Sequence, residues 1–172
     1  MNLIITCSRN QEYETRKEMK KILGQCRSNI YKIIITNLSG ILIAETDIDP
    51  MRVIQKIKNN IITEPWSIRY CARIIPIQDE VATTINDITY AALKLWNVNN
   101  KYQYRITIEK RNSTINTKEI ISKIAMNISN KVNLKNFDYE ISIQIIGERT
   151  GISILKPNSI LNVLMIKRSI SE

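Results

Sequence analysis

The sequence predicts an α+β protein: an N-terminal ferredoxin-like βαββαβ domain over residues 1–76, packed on a second α/β domain over residues 77–172. Three observations carry that reading. Runs of β-branched residues alternate with segments whose apolar residues recur every three to four positions, the two periods of strand and helix. Most boundaries carry a turn or cap signal of their own. The 172 residues suffice for one ordinary domain or two small ones, and no Gly-, Pro- or Ser-rich linker separates the halves. The halves are therefore expected to pack as one body.

In the first half, Leu3 to Thr6 reads as a short apolar strand, and Ser8-x-x-Gln11 as a capping box opening a helix. Met19, Ile22, Leu23 and Cys26 give that helix one buried face, and Gly24 sits where it would close. Tyr31–Thr36 and Ile41–Ala44 read as a hairpin turning at Asn37-Leu-Ser-Gly40. Asp49-Pro50 starts a second helix, with aspartate as N-cap and proline at the first position; Val53, Ile54, Ile57 and Ile61 form its stripe. A strand from Ile68 to Ile75 ends at Pro76 and completes β-α-β-β-α-β, the split βαβ order.

The second half opens on an expected helix from Asp79 to Trp96, whose seam is Val81, Ile85, Ile88, Ala92 and Leu95. Tyr102, Tyr104, Ile106 and Ile108 then alternate with polar residues, as in a half-exposed strand. After a polar loop at 110–114, Asn116-x-x-Glu119 caps a helix burying Ile120, Ile121, Ile124 and Ile128. Strands Tyr139–Ile146 and Ile152–Lys156 flank the turn Gly147-Glu-Arg-Thr-Gly151, and Ile160–Ile166 reads as a last edge strand.

Composition narrows the chemistry. Apolar residues make up 44% and charged residues 24%, a globular profile. No run approaches the ~18 apolar residues of a membrane span, and the N-terminus reads as a strand instead of a signal peptide. A cytoplasmic location is the expectation. The sequence holds no histidine, which removes the commonest general base and metal ligand. Cys7, Cys26 and Cys71 form no C-x-x-C pair and read as small buried residues, so no metal is expected. There is no G-x-x-x-x-G-K, G-x-G-x-x-G or G-x-S-x-G motif, and no cofactor or catalytic residue is expected. The carboxylate pairs Asp47/Asp49 and Asp79/Glu80 sit beside helix starts, where acids favour the dipole.

The formal charge of +9 points toward polyanions, or simply toward solubility. It is spread along the chain: residues 1–78 carry 12 basic and 7 acidic side chains, residues 79–172 carry 13 and 9. Any nucleic-acid surface must therefore be assembled by folding. The loop Lys110-Arg-Asn-Ser-Thr-Ile-Asn-Thr-Lys118 has the ingredients of a phosphate site: cations, neutral donors and a helix N-terminus. It serves equally as a solvated loop that caps its own helix. Arg149 falls at a hairpin tip, where an arginine is usually just solvated. Arg69 and Arg73, four apart on one strand, would share a side and meet either a phosphate or an acid such as Glu64 or Asp79. Tyr70, Tyr102, Tyr104 and Trp96 offer stacking surfaces, with Trp96 and Tyr102 favoured as core.

Several of these segments together resemble a known family. They are Arg73-Ile-Ile-Pro76 before a helix, Tyr104-Arg-Ile-Thr-Ile-Glu-Lys-Arg-Asn112, Glu119-Ile-Ile-Ser-Lys-Ile-Ala125, Val132-Asn-Leu-Lys-Asn136, and the hairpin from Ile141 to Lys156. In that order and spacing, over about residues 66–157, they resemble a THUMP domain. The likeness is to the stand-alone THUMP proteins that assist the tRNA cytidine acetyltransferase. There an R-x-x-P stretch precedes the helix, and a V-D-L-K-N-P-D-like segment precedes the hairpin. The segment here is Val132-Asn-Leu-Lys-Asn-Phe-Asp138, so Asn133 and Phe137 depart from the pattern.

The resemblance implies a THUMP fold preceded by a ferredoxin-like domain, and binding of tRNA near its acceptor stem and 3′ end. It implies a non-catalytic adaptor that presents tRNA to a separate cytidine acetyltransferase for N4-acetylcytidine formation, on a D-arm cytidine. Carried over residue by residue, the basic surface maps to Arg73, Lys110, Arg111, Asn112, Lys118, Arg149 and Lys156, beside Arg69 from the strand reading. Two alternatives stay open: a tRNA-binding subunit of another tRNA-modifying enzyme, and a ferredoxin-like regulatory module that binds a small anion.

Overall fold

A computed structural model describes residues 1–26 and 31–171. In chain order its elements are β1 (Leu3–Cys7), α1 (Glu12–Gln25), β2 (Tyr31–Ile35), β3 (Ile41–Thr46), α2 (Pro50–Thr63), β4 (Cys71–Pro76) and β5 (Asp79–Ala82). Then follow α3 (Ile85–Leu95), β6 (Tyr104–Arg111), α4 (Thr117–Ala125), β7 (Tyr139–Ile146), β8 (Arg149–Leu155), β9 (Leu161–Asn162) and α5 (Val163–Ser171). The fold class is α+β, as expected. The chain divides into two compact units: Met1–Pro76 with the segment from Asn158 onward, and Ile77–Pro157.

The first unit holds an antiparallel sheet in the order β2-β3-β1-β4-β9. Its first four strands have the ferredoxin-like order, because each helix returns the chain across one face before the next strand is laid. That face is the core. Met19, Ile22 and Leu23 of α1 and Val53, Ile54, Ile57 and Ile61 of α2 pack on Leu3, Ile5, Leu42, Ala44 and Ile74. Asp49 caps α2 by accepting from the Met51 amide at 2.6 Å, with Pro50 at the first helical position. Gly40 in the hairpin has φ +75°, and a Cβ there would stand 2.6 Å from the Cys7 carbonyl oxygen. Glycine is the residue that fits both constraints.

Four sequence expectations are corrected in this unit. Ser8 does not cap α1, because Asn10 adopts a left-handed φ of 65° and Gln11 takes the N-cap position. Gly24 lies inside the last turn of α1, which closes on the Cys26 amide bonded to the Ile22 carbonyl at 3.0 Å. β4 begins at Cys71, not Ile68. Pro65–Ser67 forms a 3-10 turn, and the Glu18 carboxylate accepts the amides of Arg69 (2.6 Å) and Cys71 (2.9 Å), so the segment before Cys71 is held without a ladder partner. The run Ile160–Ile166 yields only the two-residue β9 against β4, since the Asn162 side chain accepts from the Met165 amide at 3.1 Å and turns the chain into α5. Leu161 and Val163 are buried in the first unit's core, so the segment after Pro157 leaves the second domain as drawn from sequence.

The second unit holds a sheet in the order β5-β8-β7-β6. β6 and β7 run parallel, residue for residue from Tyr104↔Tyr139 to Arg111↔Ile146, and α4 is their crossover. Ile88, Ala91 and Ala92 of α3 and Ile120 and Ile124 of α4 cover Ile141, Ile143, Ile145 and Ile152. The alternate residues of β7, Ser142 and Gln144, are also buried and are hydrogen-bonded among polar neighbours. The expected helix from Asp79 starts only at Ile85. Thr84 accepts from the Asp87 amide at 3.1 Å and donates to its carboxylate at 2.7 Å, which fixes the helix start there. Asp79–Ala82, freed from the helix, pairs with β8 as an edge strand.

Candidate nucleic-acid interface

Both helices of the second unit begin at the same end of its sheet, the end where β6 and β7 finish. Their caps are Thr84 for α3 and Asn116 for α4, whose side chain accepts from the amides of Lys118 (3.1 Å) and Glu119 (3.4 Å). Between them lies an open depression of about 730 Å³, lined by Ala82, Thr83 and Thr84, by Asn112, Ser113 and Thr114, and by Gly147 and Glu148. The start of α3, the loop that leads into α4 and several hydroxyl and amide donors line it, beside one acid, Glu148, and these donors suit an anion. Asn112 holds a left-handed φ of 52° after the last residue of β6. Gly147, at φ +59°, donates its amide to the Arg111 carbonyl at 2.9 Å and ties the hairpin turn to that loop.

The structure sorts the sequence-derived candidates. Asn112 lines the depression, and Lys110 and Lys118 are exposed on the strand and helix that flank it. Lys110 Nζ donates to the Ile115 carbonyl at 3.1 Å, so it braces the loop as well as charging it. Arg111 is turned inward. Its guanidinium donates to Glu109 at 2.6 Å and to Gln144 at 3.0 Å, and only 22% of its side chain is exposed. Arg149 is not at a hairpin tip, because the turn has two residues, Gly147 and Glu148, and Arg149 is the first of β8. Its guanidinium pairs with Glu80 on β5. Burial is the largest single influence on the Glu80 carboxyl and pushes it up, but the Arg149 hydrogen bond and the surrounding positive charge together outweigh it and hold the carboxyl below the usual range.

The remaining candidates lie elsewhere. Lys156 is exposed just past the far end of β8, about 23 Å from Arg149 at ~3.3 Å per strand residue. In the first unit, Arg73 lies on β4, opposite Thr6 and Asn162. Arg69 is exposed in the segment before that strand, so the two do not share a strand face. Tyr104 is 1% exposed and packs on Trp96 with ring centroids 5.2 Å apart, which takes it out of any base-stacking role. Trp96 and Tyr102 are partly buried, joined through Tyr139. The lining residues missed in the sequence are Thr83, Thr84 and Glu148; a Thr84-x-x-Asp87 cap pattern was there to be found.

Among the described residues, no group of three His, Cys, Asp or Glu side chains is placed to hold a metal. No helix among them is long and apolar enough to cross a membrane.

Residues 82–155, the segment that builds this end of the sheet, match the model of the THUMP domain family. No curated protein matches the sequence. Several solved structures share the fold. PH1313 from Pyrococcus horikoshii Ot3 superposes with a TM-score of 0.65 at 21% identity, over 91% of this chain and 55% of that one. TrmN from Thermus thermophilus gives 0.56 at 10% identity, over 90% and 45%. A 4-thiouridine synthetase, solved with RNA and bound ATP, gives 0.59 at 13% identity, over 94% and 42%. The chain thus spans about half the length of each of these proteins.

Proposed function

We propose that the chain is a non-catalytic, cytoplasmic tRNA-binding adaptor that presents tRNA to a separate cytidine acetyltransferase for N4-acetylcytidine formation. One observation carries the RNA half of this reading. The THUMP-matching segment assembles, at one end of its sheet, the N-terminus of α3, the donor-rich loop 112–114 that leads into α4 and two flanking lysines around an open depression. A phosphate or the 3′ end of an RNA strand fits that chemistry: the amides and the Asn112, Ser113 and Thr114 side chains supply donors, and Lys110 and Lys118 supply charge. Arg111 and Arg149 act one step back, holding the loop and the edge strand that shape the site.

Cysteine chemistry supports the non-catalytic part. Burial pushes the thiols of Cys7, Cys26 and Cys71 all upward, and most strongly that of Cys71, whereas a nucleophilic thiolate needs the opposite shift. The acetyltransferase partner rests on the motif series from Arg73 to Lys156. The likeness to a 4-thiouridine synthetase solved with RNA favours a second reading, in which the chain serves a different tRNA-modifying enzyme.

Two experiments test the pair of claims. In a salt-dependent tRNA titration, K110Q/K118Q should weaken binding about tenfold and shallow the salt slope by one to two; an unchanged slope would remove the site. In a reconstituted acetylation assay, the purified acetyltransferase should need this chain to modify tRNA. Equal modification without it would remove the acetyltransferase.

A further inference from the structure

The first unit carries a second concentration of charge, outside the segment that matches the THUMP model. Tyr13, Lys17, Lys20 and Lys21 are all exposed on α1, at spacings of four, three and one that keep them on its outer face. The stripe runs about 12 Å along the helix at ~1.5 Å per residue. Tyr13 is 55% exposed and is held by two cations, with Lys17 4.5 Å and Arg16 5.5 Å from its ring centroid. Beside this stripe, two adjoining depressions of about 450 and 440 Å³ form a groove between α1 and α2, sharing Gln25 and Lys56 as walls. Lys21 stands on one side and Arg52 and Lys56 on the other.

Glu18 and Glu64 also line the groove, but the acids of α1 are largely engaged by other groups. Glu12 accepts from the Gly40 amide at 2.6 Å, and Glu18 from the amides of Arg69 and Cys71. Glu14 pairs with Lys17 at 3.6 Å, an exposed contact of little strength. Lys20, Lys21, Arg52 and Lys56 have no side-chain partner among the described residues. Lys21, Arg52 and Lys56 thus outnumber the acids Glu18 and Glu64 on the groove walls, and Lys20, Lys17 and the exposed Tyr13 ring continue the positive face along α1, an extended arrangement that suits a nucleic-acid backbone more than a compact anion.

We propose that the outer face of α1 and the α1–α2 groove grip the phosphodiester backbone of the same RNA, as a sequence-independent contact separate from the depression of the second unit. This rests on the tRNA-binding reading above. The variant K20Q/K21Q/R52Q/K56Q removes four charges from exposed positions. Its control, K32Q/K131Q/K135Q/R168Q, removes four exposed charges from elsewhere. Both are compared with the unaltered chain by tRNA titration across salt concentrations, with thermal melts to show equal folding.

The groove variant should bind at least tenfold more weakly at ~0.15 M salt, with the salt slope reduced by about two to four, at ~0.9 per lost phosphate contact. The control should stay within about threefold. An unchanged groove variant, or an equal loss in the control, overturns the proposal and leaves tRNA binding intact. Loss of binding to phosphatidylserine-containing vesicles with tRNA affinity unchanged would overturn it in favour of a membrane surface. If the unaltered chain binds no tRNA, the functional reading itself fails and this one goes with it.

Discussion

Arg111 either braces the loop after β6 or grips RNA, and one substitution separates the two roles. Its place in a basic loop suggested a phosphate ligand, but the structure points its guanidinium at Glu109 and Gln144. Replacing it with methionine keeps the aliphatic stem and removes both bonds. A hydrogen bond involving a charged group contributes about 1.5–3 kcal/mol when buried. The Arg111 and Glu109 side chains are 22% and 28% exposed, so the lower end applies to each bond. R111M should therefore lose about 3 kcal/mol of stability, read from urea denaturation. R111K should recover less than half of that, because an ammonium cannot fork to two acceptors. At temperatures where the variant is folded, its tRNA affinity should fall by less than threefold, under ~0.7 kcal/mol. The reverse pattern, stability kept within ~0.5 kcal/mol and affinity down tenfold or more, would refute the reasoning and return Arg111 to the RNA.

Three further outcomes follow from the same structure. The Tyr104 hydroxyl is buried without a hydrogen-bond partner, so Y104F should be neutral or stabilising by up to ~1 kcal/mol in a thermal melt; a loss above ~1 kcal/mol would show that the hydroxyl is bonded. G40A combines a left-handed φ with a contact of 2.6 Å to a carbonyl oxygen and should cost about 2–4 kcal/mol, while G24A, in a helical turn with nothing within 4 Å, should gain ~0.5–1 kcal/mol; equal effects would contradict both assignments. Glu80 and Glu12 have carboxyls held below their usual range, Glu12 chiefly by the Gly40 amide. Their contribution is full above the unfolded carboxylate value of ~4.3 and is lost as pH falls through the lowered folded values, because the unfolded chain then binds more protons. Melting temperature should accordingly drop below about pH 4, and E80Q and E12Q should each flatten that drop.

Much of the fold was legible because local and long-range signals agreed. Asp49-Pro50 caps α2 as read, and Asn116 caps α4 with the expected side-chain bonds. The stripes of α1 and α2 are the core that the period implied. What failed was decided by partners distant in sequence. Val81 continued the period of α3 but lies in a strand, because β8 offers a ladder to 79–82 and Thr84 starts the helix later. The amides of Arg69 and Cys71 are claimed by Glu18, 51 and 53 residues away, which no local pattern announces. The second half's final apolar run belongs to the first unit, since Leu161 finds the open edge of β4.

The candidate site was partly legible in the same sense. The loop that frames the depression could be located from its donors and its cap, but which of its cations face outward could not. Spacing does not say that Glu109 and Gln144 stand ready for Arg111, or Glu80 for Arg149.

The central claim, that the THUMP-matching segment docks a tRNA at the open end of its sheet, is tested most directly by one titration. Intact tRNA and the same tRNA without its single-stranded 3′ end are each titrated against the chain at several salt concentrations. Tight, salt-sensitive binding of intact tRNA, weakened when the 3′ end is removed, is the expected result. No binding to either RNA, or equal binding of both, would contradict it.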